Sequence, residues 1–254
     1  MIFRKKIKLS DLSFSCDIHS HILPGVDDGF LNMKESIEML QLYQKNGMKQ
    51  LVLTPHIDPG TYPRNNEDFL NDRFKSFVEE IPANINMDLY LGAEYMCDEK
   101  LKADKPFLFI GKTGVLIEMS YFYQYPYLKE TIFALVSAGF QPILAHPERY
   151  TYLARKLGAF EKFIDTGCLF QLNLLSLSGI YGKRSKIILH YLLDHDMYRY
   201  AGSDVHSLRQ YKRISDIKVS HKLAGKIEEL MENCLLYTSP SPRDRTRSRM
   251  PSSA

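Results

Sequence analysis

The chain has 254 residues, 44% hydrophobic and 25% charged, with a formal net charge of +3. That length suits one α/β domain, and the balance is that of a folded protein rather than a disordered or fibrous one. No apolar run is long enough to span a bilayer, and the basic start, Met1 to Ser10, is not followed by the apolar stretch a secretory signal needs.

In chain order, residues 1–12 read as a lead and Phe14 to His19 (FSCDIH) as a first strand. Asn32 can cap a helix, with Glu35 as its capping-box partner; that helix runs through Ile37, Leu40 and Tyr43 and stops at Asn46-Gly47. Gln50 to Thr54 is a short buried strand, Asn66 to Ile81 an amphipathic helix, and Met87 to Glu94 a third strand. Val115 to Met119 is a fourth strand, and Tyr127 to Ala138 a helix ended by Gly139. Gln141 to Ala145 is the fifth strand, Phe160 to Thr166 closes a helix, and Leu169 to Leu175 is the sixth strand. Ser185 to Leu193 is a helix, Tyr198 to Gly202 the seventh strand, and Ile214 to Glu232 a closing helix. The alternation predicts a single α/β domain over residues 13–233 with a parallel sheet, open or closed into a barrel. No Gly-rich phosphate loop follows the first strand, which weakens a nucleotide-binding reading.

The last 21 residues, Cys234 to Ala254, break this pattern: they are rich in Ser, Pro and Arg and have no periodicity. They match in translation a transposase-type sequencing adapter and are expected to be a disordered appendage foreign to the protein. They hold four Arg and one Asp, so the rest of the chain has 29 basic and 29 acidic residues. The charge argument for a nucleic-acid partner disappears with them. Cys16, Cys97, Cys168 and Cys234 form no CxxC pair, which argues for a reducing compartment and against a thiolate zinc site. None precedes an Arg at Cys-x5-Arg spacing, which excludes that type of cysteine nucleophile.

Chemistry-bearing residues recur at one place, the C-terminal ends of the strands. These are His19 and His21, then His56, Glu94, Glu118, His146 with Glu148 and Arg149, and finally Asp204 and His206. Five of the eight histidines fall there. Each pair or single residue alone is commonplace, a stray histidine or a salt-bridge partner. Together they mark the face on which α/β barrels build active sites. Residues i and i+2 of a strand share a side, so His19/His21 and Asp204/His206 each present two ligands together. Imidazole with carboxylate suits Zn, Mn or Fe.

The ordered set His-x-His, Thr-Pro-His, Glu, Glu, His-Pro-Glu-Arg and Ser-Asp-x-His resembles the polymerase-and-histidinol-phosphatase (PHP) superfamily. The block DIHSHILPGVDDG resembles its branch of bacterial manganese-dependent protein-tyrosine phosphatases linked to capsular and exopolysaccharide synthesis. The likeness runs from Asp17 to His206. It implies a distorted (β/α)7 TIM-like barrel and a trinuclear centre, most simply of Mn2+, with Fe or Zn as alternatives. It implies that His19, His21, Glu94 and Asp204 hold one ion, and that Glu94, Glu118 and His146 hold a second with Glu94 bridging. Asp28, His56 and His206 would hold the third, with Asp27 as a rival for Asp28. Arg149 resembles the family's phosphate-binding arginine. Arg209 is the nearest match to a second one, with Arg213 as rival, because the block HSLRQYKR departs from the usual spacing.

The resemblance further implies direct hydrolysis of phosphotyrosine on a membrane-associated bacterial tyrosine kinase that controls polysaccharide export, by a cytoplasmic enzyme with no stable membrane insertion. The aromatic run Tyr121 to Tyr127 follows the fourth strand and should lie beside the site, either stacking on a peptide or packing on itself. Rival readings are a small-molecule phosphatase acting on a substrate like histidinol phosphate, an amidohydrolase, and a non-catalytic metal-binding module. Glu94 stands where an amidohydrolase usually has a lysine, and every ligand position is filled by a competent residue.

Overall fold

The computed structural model describes residues 6–233; the appendage expected at 234–254 lies outside the described residues. The chain begins with β1 (Ile7–Lys8), β2 (Cys16–Asp17), α1 (Met33–Lys45), β3 (Gln50–Leu53), β4 (His56–Ile57) and α2 (Glu67–Glu80). It continues through β5 (Asp88–Leu91), β6 (Glu94–Met96), β7 (Gly114–Glu118), α3 (Leu128–Ser137), β8 (Gln141–Ala145) and α4 (Ala159–Asp165). It ends with β9 (Leu169–Asn173), α5 (Gly182–Asp194), β10 (Tyr198–Gly202), α6 (Leu208–Ser215), β11 (Lys218–Val219) and α7 (His221–Glu232).

Side-chain caps start several helices. Asn32 accepts from the Glu35 amide at 3.0 Å and Asn66 from the Phe69 amide at 2.9 Å, satisfying donors that a first helical turn leaves open. The expected strands two and three each split. β3 stops at Thr54-Pro55 and resumes as β4; β5 stops at Gly92-Ala93 and resumes as β6. Both halves stay paired with each other, β3 with β5 and β4 with β6, all parallel. The ring then runs from β6 through β7, β8 and β9 to β10, again parallel. Ser20 bridges Val205, and His21 N donates to Val205 O at 3.0 Å, which joins the last strand to the first. Nine strand segments, forming seven strands of which two are broken, thus enclose a barrel, in agreement with the sequence reading.

Burial on both faces explains why the strands read as unbroken apolar runs. Ile18, Val52, Leu116, Ile143 and Ala145 belong to a core inside the barrel, whereas Val115, Ile117 and Leu144 pack in the larger core that the helices cover. The expected sixth strand ends early, at Asn173, whose side chain accepts from the Leu175 amide and opens a tight turn over Leu174–Ser178. The expected closing helix from Ile214 to Glu232 is two helices. Lys218–Val219 leaves the helical path to pair antiparallel with Ile7–Lys8, and Ser220 then caps α7 through the Leu223 amide. Cys97 and Cys168 are free and buried.

Candidate metal centre

Every strand of the barrel except β9 delivers a candidate ligand to one end of it. His19 and His21 flank the Ser20 bridge, His56 opens β4, Glu94 opens β6 and Glu118 closes β7. His146 follows β8, and Asp204 and His206 follow β10. His19, His21, Glu94, Glu118, His146 and Asp204 are all buried. His146 and Asp204 hold left-handed backbone, φ 35° and 52°, which non-glycine residues rarely adopt and which persists only where surroundings enforce it. The Asp204 amide is pinned to His19 O at 2.8 Å, and His146 O accepts from the Arg149 amide at 2.9 Å.

The nine expected ligands converge. Three groups have ligand atoms within 4.8 Å of one another: His21, Asp28, His56 and His206; His19, Glu94, His146 and Asp204; and His56, Glu94 and Glu118. Glu94 lies in two of them. Its Oε1 is 2.8 Å from His146 Nε2, and its Oε2 is 3.1 Å from His19 and 3.3 Å from both His21 and His56. The groups cross the ligand sharing that the resemblance implied: His21 stands with Asp28, and His146 with Asp204.

The donor set fits divalent cations. Nε2 of His19 faces Nε2 of His21 at 3.2 Å, a contact that needs a proton or a cation between the two rings. Asp204 Oδ1, His146 Nδ1 and His56 Nδ1 are buried without a hydrogen bond. His56 Nδ1 is 2.9 Å from Glu118 Oε1, close but without the alignment a hydrogen bond requires. Unsatisfied buried polar atoms are rare enough to call for an ion or water. Electrostatics agree. Burial works against charge on Glu94, but His19 and His146 hold its carboxyl well below the ordinary range. Burial likewise opposes a charged His21, yet the carboxylates of Asp27, Asp204 and Glu94 around it raise it well above its usual value.

A surrounding layer aims the rings. His19 Nδ1 is 2.9 Å from Gln171 Oε1, and His21 Nδ1 is 2.8 Å from Asp27 Oδ2, so both turn Nε2 toward the centre. Asp27 also accepts from the amides of Gly29 and His56, with its carboxylate fully buried, whereas the Asp28 side chain is 60% exposed and reaches His56 at 3.4 Å and His206 at 3.6 Å. Asp28 is thus the one whose carboxylate lies among the candidate ligands, and Asp27 stands behind the His21 ring. Gly29 and Gly202 make room for this layer: a Cβ on Gly29 would meet His21 O at 2.1 Å, and one on Gly202 would meet His19 Cβ at 2.8 Å.

Above the centre opens a cavity of about 740 Å³. Arg149 lines it, is bound to Asp204 Oδ2 at 2.9 Å, and lies between the rings of Tyr121 and Tyr181, 4.3 and 4.6 Å from their centroids. It is the single Lys or Arg among the lining residues. Arg209 and Arg213 are both exposed and line no part of it; Gln210 does, donating to Asp204 O and accepting from the His206 amide. Tyr121, Phe122, Tyr123 and Tyr125 form one wall, with Phe122 91% exposed. Sequence reasoning missed Gln171, Asn173, Tyr62 and Tyr181. The first two were visible as polar residues at i and i+2 in an otherwise apolar strand. Tyr62, stacked on His56 at 5.5 Å, carried no such signal.

Comparison with known proteins agrees with this geometry. The chain is 29% identical over 202 residues to the tyrosine-protein phosphatase YwqE of Bacillus subtilis, covering 76% of this chain and 78% of that one. It is 30% identical over 203 residues to the tyrosine-protein phosphatase CpsB of Streptococcus pneumoniae, covering 76% and 83%. Its fold superposes on a crystal structure from a study of YwqE and CpsB, described as metal-dependent tyrosine phosphatases, with a TM-score of 0.66 at 23% identity over 89% of this chain and 98% of the other. The model of the capsular polysaccharide synthesis family CpsB/CapC matches residues 15–242, and the chain belongs to that family.

Proposed function

We propose that the protein is a metal-dependent protein-tyrosine phosphatase. Its substrate is a phosphotyrosine-bearing protein, a membrane-associated bacterial tyrosine kinase of polysaccharide synthesis and export, and it works in the cytoplasm with Mn2+. The observation that carries this reading is the convergence of nine histidine and carboxylate ligands under a cavity whose single guanidinium is Arg149. His19, His21, Asp28, His56, Glu94, Glu118, His146, Asp204 and His206 would hold the ions, with Glu94 shared between neighbours. Divalent ions in such a site supply a nucleophile at neutral pH and neutralise phosphoryl charge.

The chain's own groups do the rest. The Arg149 fork, its Cζ over the rings of both Tyr121 and Tyr181, is placed to bind phosphoryl oxygens. Asp28, Asp58, Asp98, Glu94, Glu118 and Asp204 also face the cavity, so a phosphate dianion would be repelled without bound cations. Tyr121 to Tyr125 offer rings against which an aryl substrate can pack. A phenolate leaving group, of pKa about 10, needs less acid assistance than a serine alkoxide, so the absence of a general acid from the proposed roles suits an aryl phosphate.

The test is phosphate release by metal-stripped protein from a tyrosine-phosphorylated peptide, a phosphoserine peptide and histidinol phosphate, with and without Mn2+. The expected result is Mn-restored activity, strongest on phosphotyrosine, and a drop of about 10²–10³ in kcat for Arg149→Ala. Activity on histidinol phosphate alone would replace the protein substrate by a small molecule. No activity with Mn, Fe or Zn in a folded protein would sink the phosphatase reading.

A further inference from the structure

β9 is the one barrel strand that supplies no candidate ligand, yet it places two buried amides directly behind the centre. Gln171 and Asn173 are both fully buried and, two residues apart on one strand, share a side. Gln171 Oε1 lies 2.9 Å from His19 Nδ1. Its orientation is fixed from the other end, where Nε2 donates to Leu172 O at 2.6 Å, so the oxygen is the atom that faces His19 and Nδ1 must carry the proton. Asn173 Nδ2 donates to Asp204 Oδ2 at 2.6 Å, while its own Oδ1 accepts from the Leu175 amide at 2.7 Å. Asp204 Oδ2 is therefore occupied twice, by Asn173 and by Arg149, and the oxygen left without a partner is Oδ1. Oδ1 points at the histidines, 3.3 Å from His19 Nε2 and 3.4 Å from His21 Nε2.

The support runs one layer deeper. Glu148, buried beneath β9, accepts from the Asn173 amide at 3.0 Å, Ser176 Oγ at 2.6 Å and Tyr198 Oη at 2.9 Å, so the strand end carrying Asn173 is anchored. Gly202, beside them on β10, has no Cβ in the space where His19 and Gln171 meet; one built there would be 3.1 Å from Gln171 Nε2.

We infer that Gln171 and Asn173 are positioning residues for the metal centre: Gln171 fixes the His19 tautomer, and Asn173 fixes the Asp204 carboxylate so that one oxygen faces the ions and the other Arg149. The inference rests on the metal-centre reading above. It assigns to β9 the task of keeping the phosphate-binding guanidinium and the metal ligands in one fixed relation, since both meet on the same carboxylate.

The experiment is calorimetric titration of Mn2+ into metal-free wild type, Gln171→Leu, Gln171→Glu and Asn173→Ala, with kcat and KM measured on the Mn-loaded proteins. Leu keeps the bulk and removes the acceptor; Glu keeps an acceptor toward His19 but gives up the bond to Leu172 O. The expected result is that Gln171→Leu and Asn173→Ala bind at least one ion about 10- to 100-fold more weakly, the range typical for lost outer-layer partners. Gln171→Glu should lose less than Gln171→Leu, because it keeps the acceptor on His19 Nδ1. At saturating Mn2+ the Asn173 variant should lose kcat with KM nearly unchanged, because Arg149 is misaligned rather than removed. Should Asn173→Ala not fold, having lost its turn cap as well, the Gln171 pair decides. Wild-type Mn2+ affinity in Gln171→Leu, or equal losses in Gln171→Leu and Gln171→Glu, would overturn the positioning role while leaving the centre intact. A wild type that binds no divalent ion would overturn the centre and this role together.

Discussion

Adjacent carboxylates in the same turn do different work because one is buried and one is not. Asp27 spends both oxygens on His21 Nδ1 and two backbone amides, and Asp28 is left facing His56 and His206 from the cavity side. Asp27→Asn keeps the size but gives up one acceptor oxygen, leaving a buried group unsatisfied at a cost of about 1–3 kcal/mol. Thermal melting of the metal-free variant should show that loss, whereas Asp28→Asn should melt like wild type and lose Mn2+ affinity in titration. The reverse pattern would exchange the two roles. Arg149 shows the same logic in cationic form. It could have been a surface ion pair; the tyrosine rings on either side and Asp204 make it the cavity's fixed positive charge.

At the scale of elements, the site depends on how closely β2 and β10 approach. Gly202 has an ordinary backbone, so its requirement is steric rather than conformational: an added Cβ would stand 2.8 Å from His19 Cβ. Gly202→Ala should therefore destabilise by about 1–3 kcal/mol, as overpacked sites do, and weaken Mn2+ binding with it. Gly225, within α7, has nothing within 4 Å of its missing Cβ. There the same substitution should stabilise by about 0.5–1 kcal/mol, the ordinary gain of Ala over Gly inside a helix. Denaturant melts of both variants test the contrast; equal losses would mean that the tight contact at Gly202 is not what matters. The break between α6 and α7 is also an element-scale effect. Periodicity through Ile217, Leu223, Ile227 and Leu230 reads as one helix, but pairing of β11 with β1 and the Ser220 cap divide it.

Across the whole molecule, the candidate ligands come from six of the seven barrel strands, so bound ions would tie together segments from residue 19 to residue 206. Ligands that bind the native state alone stabilise it by mass action, by about 2.7 kcal/mol at a hundred times Kd. Chelation should therefore lower the melting temperature and added Mn2+ restore it. A melting temperature indifferent to both would mean that the cluster holds no ion in the native protein. Bound ions would also account for the many buried acids and histidines at the centre, three of which have a buried atom that no protein group satisfies.

The order of strands and helices was legible because alternating apolar runs and capping residues are local signals, and the ligand set was legible because it recurs at strand ends. Asn32 could be weighed as a cap from Glu35, three residues away, and its side chain accepts from the Glu35 amide in the structure. Eight of the nine candidate ligands could be named from their place at strand ends, which an α/β barrel brings to one face, and the ninth, Asp28, only from the family resemblance. Tertiary structure decided what depends on distance between remote segments. It split the second and third strands, divided the closing helix, grouped His21 with Asp28, put Arg209 outside the cavity, and set Gln171 and Asn173 behind His19 and Asp204. The physical reason is that local sequence fixes backbone preference and periodicity within a turn or a strand. Ligand sharing and side-chain orientation depend largely on contacts of a few ångströms between remote residues, 152 positions apart for Gln171 with His19, 55 for Arg149 with Asp204 and 185 for His19 with Asp204.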